Sequence, residues 1–231
     1  ALQLTPASYI SFLVLYRYYD RRYQALFGNA FSQGSTVQNE QGVYMGFQLT
    51  PIARWKLSVY ADLFRFPWLK YGIDAPSGGQ EYMAQIDYTP SRNYSAYLRY
   101  KYRQKEKNGT FENDNLLKIN TCKQHRIRFQ QVYNFSSPFI FKTSLDGILF
   151  DDPIKKLNKG IMISQSIGWK PTTLPLQIDG YLAWFYTDDY NSRVSSYEKN
   201  ILYAFNMPFF YGDGMRFALT FRLDIWKRLS L

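Results

Sequence analysis

The chain has 231 residues, with 28 Lys and Arg against 18 Asp and Glu for a formal net charge of +10, and 19% of it is aromatic. Its mean hydropathy is nevertheless −0.37; a hydrophilic average crowded with amphipathic rings fits a protein whose outside meets lipid and whose inside meets water. A single cysteine, Cys122, excludes an internal disulfide and any cysteine-based metal cluster, and the best apolar run, Tyr9 to Tyr16, falls far short of the roughly 18 residues of a transmembrane helix.

The chain begins on Ala1 without a basic n-region or an apolar h-region, so no leader reports its compartment. The first predicted strand runs from Ala7 to Tyr19, followed by a polar connection over 20–41. Val43, Met45, Phe47 and Leu49 then alternate with Tyr44, Gln48 and Thr50. After the turn TPIARW (50–55), Leu57, Val59, Ala61 and Leu63 alternate with Lys56, Ser58, Tyr60 and Asp62. A second long connection covers 65–79, and Tyr82, Ala84, Ile86 and Tyr88 oppose Glu81, Gln85 and Asp87 up to the turn TPSRN (89–93).

The next strand, NYSAYLRYKYRQ, sets Tyr94, Ala96, Leu98, Tyr100 and Tyr102 against Ser95, Tyr97, Arg99, Lys101 and Arg103, and then passes into a charged loop over 104–121. Ile127, Phe129, Tyr133 and Phe135 oppose Arg126, Arg128 and Gln130 before the turn FSSP (135–138). Phe139, Phe141, Thr143, Leu145 and Leu149 oppose Lys142, Ser144 and Asp146 before a connection at 150–159. Beyond KPTTLP (170–175), Leu176, Ile178, Leu182, Trp184 and Tyr186 oppose Gln177 and Asp179. The last strand sets Phe217, Leu219, Phe221 and Leu223 against Arg216, Thr220, Arg222 and Asp224, ahead of DIWKR (224–228).

Runs of about ten residues match the span of a tilted strand across a bilayer. Short and long connections alternate strictly, as in an outer-membrane barrel with short periplasmic turns and long extracellular loops. The fold expected is therefore all-β: one antiparallel transmembrane outer-membrane β-barrel domain over 1–231, or a partial barrel of about 10–12 strands from a longer chain. Parity makes 188–213 one extracellular excursion, although EKNILYAFNM (198–207) reads like a strand. The tail from Lys227 to Leu231 is too short to span, so the domain is expected to be incomplete at its C-terminus, with its last edge covered by missing sequence or another chain.

The stretches YQALFGNAFSQGSTVQNEQGVYMGFQLTPIARWKLSVYADLFRFPWLKYGIDAPSGGQEYMAQIDYTPSR (23–92) and ILYAFNMPFFYGDGMRFALTFRLDIWKRLSL (201–231) resemble the β-rich C-terminal region of Bacteroidota helix-hairpin-helix outer-membrane proteins of the competence type. The resemblance implies an outer-membrane barrel, and through the family's N-terminal repeats a contact with DNA; those repeats are not in this sequence.

On this reading the lumen row carries the cations Arg99, Lys101, Arg103, Arg126, Arg128, Lys142, Arg216 and Arg222 and the acids Asp62, Glu81, Asp87, Asp146, Asp179 and Asp224. Opposite charges on neighbouring strands would pair and fill a narrow interior; a basic cluster would instead select anions. Trp55, Trp68, Tyr71, Trp169, Trp184, Tyr186 and Trp226 form an aromatic belt or loop contacts. His125, the one histidine, would need a neighbouring Ser to act as a base, and reads as a rim residue. The pairs Asp151, Asp152 and Asp188, Asp189 read as solvated loop carboxylates rather than a Ca²⁺ site.

No catalytic residue, metal or cofactor is assigned. The function expected is a porin-like channel, anchor or accessory subunit in transport across the bacterial outer membrane. Its partners would be outer-membrane lipid and lipopolysaccharide, with another membrane chain or the rest of its own chain. A nucleic-acid uptake component and a lipid-modifying enzyme are the alternatives.

Overall fold

The computed structural model describes residues 1–24, 30–34, 36–110, 117–135, 138–154, 157–200, 205–226 and 229–230, without the side chains of Thr110, Leu117 and the residues from 224 onward. The chain is all-β. Its strands are β1 (Leu2–Ala7), β2 (Ile10–Tyr19), β3 (Glu40–Leu49), β4 (Trp55–Phe66), β5 (Ser77–Ser91), β6 (Tyr94–Thr110), β7 (Leu117–Asn134), β8 (Phe139–Asp151), β9 (Asn158–Trp169), β10 (Leu176–Thr187), β11 (Val194–Ser195), β12 (Phe209–Phe210), β13 (Asp213–Trp226) and β14 (Leu229–Ser230). One sheet takes twelve of them in the order β1-β2-β3-β4-β5-β6-β7-β8-β9-β10-β13-β14, and β11 pairs with β12 apart from it. Each strand of that sheet lies beside the one before it in the order, with β13 following β10, as sequential elements usually do. Among the described residues no pairing joins β1 to β14.

By internal contacts the chain divides into two compact units, one of residues 1–85, 100–125 and 150–157, the other of 86–99, 126–149 and 158–231. In the first unit, Phe12, Val14, Met45, Val59 and Leu63 are exposed, whereas Arg17, Glu40, Asp62 and Glu81 are buried. In the second, Leu98, Ile127, Leu145, Ile163, Leu182 and Phe217 are exposed, while Ser144, Asp146, Ser164 and Glu198 are buried. Both units turn the apolar row of the alternation outward and the polar row inward, the reverse of a half-buried strand in a water-soluble sheet. Among the described residues of the second unit, Ile148, Met162, Tyr181, Ala183, Val194 and Phe210 form a buried apolar cluster.

Three elements differ from the sequence reading. The first predicted strand, Ala7–Tyr19, is β2 alone, and residues 2–7 form a further strand paired with it. Pro6 hid that strand; it is tolerated because the register shifts between Leu4 and Ala7, where a missing N–H costs no ladder bond. The charged stretch after Arg103 is strand rather than loop, β6 running to Thr110 and β7 starting at Leu117. Its charges find partners on β5 and in the β2–β3 connection: the Gly78 N–H donates to Glu106 Oε2 at 2.6 Å, and Lys105 Nζ donates to the Gln33 carbonyl at 3.3 Å. The excursion over 188–213 lies between β10 and β13, and part of it turns inward, with Ser192, Val194, Ser195 and Glu198 buried. A 3-10 turn at Tyr190–Ser192 starts that inward turn, capped by Asp189.

Gly42 is required by close approach. A Cβ there would lie 2.6 Å from Arg17 Cζ and 2.8 Å from Nη2. Gly42→Val is expected to lower the urea midpoint of the folded protein by the equivalent of about 1 to 3 kcal/mol of overpacking. Gly180→Ala, whose added methyl meets nothing nearer than 3.9 Å, leaves it unchanged.

Candidate functional site

The charged inner rows are the part of the molecule whose arrangement demands an account. In the first unit, adjacent strands β2, β3 and β4 bring Arg17, Glu40 and Asp62 together because Arg17 pairs with Gly42 and Gly42 with Phe64, placing the three charges on one face. Arg17 Nε donates to Glu40 Oε1 at 2.6 Å, and its Nη1 and Nη2 donate to Asp62 Oδ1 at 2.7 Å and Oδ2 at 3.1 Å. One guanidinium thus faces two carboxylates, all three fully buried. The excess negative charge is met by neutral donors from the β2–β3 connection. The Gln33 N–H bonds Glu40 Oε2 at 2.9 Å, the Gly34 N–H bonds the same oxygen at 3.1 Å, and Gln33 Nε2 bonds Asp62 Oδ2 at 2.7 Å. The Phe31 ring closes over the guanidinium at 5.0 Å.

A second layer in this unit centres on Glu81, which takes Lys101 at 2.8 Å and Arg103 at 2.5 Å and accepts the Tyr60 hydroxyl at 2.6 Å. Above it, cations lie on rings: Lys70 Nζ is 3.3 Å from the Phe66 centroid and Lys105 Nζ 5.3 Å from that of Phe64. In the β4–β5 connection, burial pulls the Lys70 ammonium below its ordinary pKa, against the opposing pull of Glu40 and Glu106.

The second unit repeats the scheme. Arg128 donates to Asp146 at 2.5 Å and to the Ser195 carbonyl at 2.7 Å. Glu198, on the inward β10–β13 connection, accepts from Arg216 Nε at 3.1 Å and from Asn206 Nδ2 at 3.1 Å. Lys199 pairs with Asp179.

The predicted inner row is therefore brought into ion pairs for Lys101, Arg103, Arg128, Arg216, Asp62, Glu81, Asp146 and Asp179. Arg99 lies over Tyr97 at 5.2 Å and Lys142 near Tyr197 at 5.9 Å. Asp87, Arg126 and Arg222 are half-buried and engaged. The side chains of Asp224 and Trp226 lie outside the described residues. Of the aromatic set, Trp55, Trp68, Tyr71, Trp184 and Tyr186 are exposed, and Trp169 is half-buried. Sequence reasoning missed Arg17, Glu40, Gln33, Glu198 and Lys199, which sit at strand ends or in connections where no alternation marks them.

His125 Nδ1 lies 2.8 Å from the Tyr100 hydroxyl and its ring 5.0 Å from that of Tyr102; no Ser, Thr or carboxylate contact accompanies it among the described residues. The loop acids have structural partners. Asp188 Oδ2 accepts from the Lys159 N–H at 2.8 Å, Asp189 Oδ1 from the Tyr190 N–H at 2.6 Å, and Asp152 Oδ1 from Asn120 Nδ2 at 2.6 Å. Among the described residues no three His, Cys, Asp or Glu gather as a metal site. Comparisons with protein families, with curated proteins and with solved structures return no match.

Breaking a buried pair costs more than removing it whole. Asp62→Asn is expected to destabilise the fold by about 3 to 5 kcal/mol in urea unfolding, because it leaves Arg17 underpaired. The triple change Arg17→Met, Glu40→Gln, Asp62→Asn should recover most of that loss.

Proposed function

We propose that this chain is the membrane-embedded part of a bacterial outer-membrane β-barrel protein, non-enzymatic, serving as an anchor or accessory subunit in transport across that membrane. The observation that carries this reading is the inverted polarity of the sheet. On β13, Met215, Phe217, Leu219, Phe221 and Leu223 are 70%, 66%, 49%, 61% and 42% exposed in sequence, and Leu182 and Trp184 of β10 stand exposed beside them. Water-soluble monomers rarely leave so continuous an apolar surface uncovered. Hydrocarbon accepts it, and demands only that backbone groups pair within the sheet.

Several polar groups on the exposed face bond to one another, which supports the same reading. Thr143 donates to Gln165 at 2.6 Å, Tyr94 to Gln131 at 3.4 Å, and Tyr100 meets His125. Water would make such pairing unnecessary; lipid makes it worth keeping. The resemblance to Bacteroidota outer-membrane proteins agrees with this compartment. Anchor or accessory subunit is favoured over open channel because, within each unit, paired charges and inward connections occupy the polar face.

The test is folding into lipid. The chain is expected to gain β-structure and protease resistance in phospholipid vesicles and not in buffer alone. Leu98→Arg and Phe129→Arg should each lose about 2 to 4 kcal/mol of folding free energy in vesicles, whereas Arg99→Gln should fold as the parent does. Equal folding of all three variants, or full folding without lipid, contradicts the reading.

A further inference from the structure

Two grooves follow one another along the outward face of the first unit. One interrupts the apolar row where β4 and β5 carry short side chains. Ala61 and Ala84 stand there among Met45, Val59, Tyr82 and Tyr100, and the groove of about 520 Å³ that they leave is lined almost wholly by carbon. The other, of about 630 Å³, lies nearer the β4–β5 connection, and its lining includes Arg65, Pro67, Pro76, Gln80, Gln104 and Glu106. Its polar side chains continue the outward rows, Arg65 in phase with Val59 and Leu63, Gln80 with Tyr82 and Ala84, and Gln104 with Tyr100 and Tyr102.

Tyr82 joins the two grooves. Its ring lines the apolar one, and its hydroxyl donates at 3.0 Å to Oε1 of Gln80, which lines the polar one. Gln80 Nε2 in turn donates to Gln104 Oε1 at 3.1 Å, and the Tyr102 hydroxyl donates to the same oxygen at 2.9 Å. From Ala84 to Gln80 the strand advances about 13 Å, at roughly 3.3 Å per residue, so a single lipid can reach from one groove into the other.

The polar groove keeps groups unspent. Arg65 donates through Nε to Gln41 Oε1 at 2.8 Å, and Glu106 Oε2 accepts the Gly78 N–H at 2.6 Å. Among the described residues the Arg65 Nη groups, the Gln104 Nε2 and the Glu106 Oε1 make no hydrogen bond. One guanidinium and one carboxylate offset each other, so the groove does not select for an anion. Donors and an acceptor side by side suit hydroxyls, each of which both donates and accepts, and the two proline rings offer apolar surface to the carbon face of a sugar. We propose that the two grooves together hold one glycolipid, an acyl chain over Ala61 and Ala84 and a sugar headgroup on Arg65, Gln104 and Glu106. The site rests on the membrane reading above and narrows the lipid partner to a sugar-bearing class.

The test uses the whole chain folded in polyoxyethylene detergent micelles, which carry no sugar, with bound lipids counted by native mass spectrometry. The probes are monoglucosyl diacylglycerol and phosphatidylglycerol with the same acyl chains. One saturable glucolipid adduct is expected, at about a tenth or less of the concentration that phosphatidylglycerol needs. Arg65→Met should weaken it roughly tenfold to a hundredfold, the worth of one charged hydrogen bond. Ala84→Phe, which fills the apolar groove with another apolar side chain, should weaken it by about tenfold or more. Leu182→Phe, on the outward row of the second unit, should retain it. Should one of the two site variants fail to fold, the other decides. Unchanged binding by either folded site variant, equal binding of the two lipids, or no saturable adduct on a folded parent overturns the site and leaves the membrane reading standing. A parent chain that folds in neither detergent nor lipid overturns that reading, and the site with it.

Discussion

Charge buried on the inner face of a sheet must be neutralised within the molecule, and the arrangement of this chain follows from that constraint. Arg17 between Glu40 and Asp62 is the clearest case. In a medium of low dielectric the attraction is strong, and the penalty for an unmet charge is just as strong. Two carboxylates on one guanidinium would leave such a charge, and the Gln33 and Gly34 donors answer it. Gln33 and Gly34 of the β2–β3 connection are therefore tied to the buried charges. Gly42, which leaves room for the guanidinium, is the backbone counterpart of the same requirement.

The second unit solves the problem by the same means. Its β10–β13 connection supplies Glu198 to Arg216, Lys199 to Asp179 and the Ser195 carbonyl to Arg128. These partners come from a connection and not from the next strand. Among the described residues of the second unit, Lys142 is half-buried and lies near the Tyr197 ring at 5.9 Å.

The period-two pattern was legible in the sequence because it reports a face. Arg99, Lys101 and Arg103 fall opposite Leu98 and Tyr100 whatever the partner strands do. The strict alternation of short and long connections did not hold: the β6–β7 and β8–β9 connections, 111–116 and 152–157, are no longer than β9–β10 at 170–175. Partners are another matter: that Asp62 meets Arg17, or that Glu198 reaches Arg216, depends on register and on connections folding inward, and neither leaves a periodic trace. The strand at residues 2–7 was hidden by Pro6, and the upper part of β6 by its charges. Both signals usually mean turn or loop, and both were overridden here, by a register shift in one case and by polar partners in the other.

The central claim is that the outward row of each strand faces hydrocarbon and the inward row does not. It is tested most directly by spin labels placed one at a time at residues 217–222 of β13, in vesicles, with Cys122 first replaced by Ser. The account predicts that labels at Phe217, Leu219 and Phe221 collide readily with lipid-dissolved oxygen and scarcely with a water-soluble nickel chelate, while those at Ala218, Thr220 and Arg222 are shielded from oxygen, a strict period of two. Ready collision of the nickel chelate with the labels at 217, 219 and 221 would contradict it.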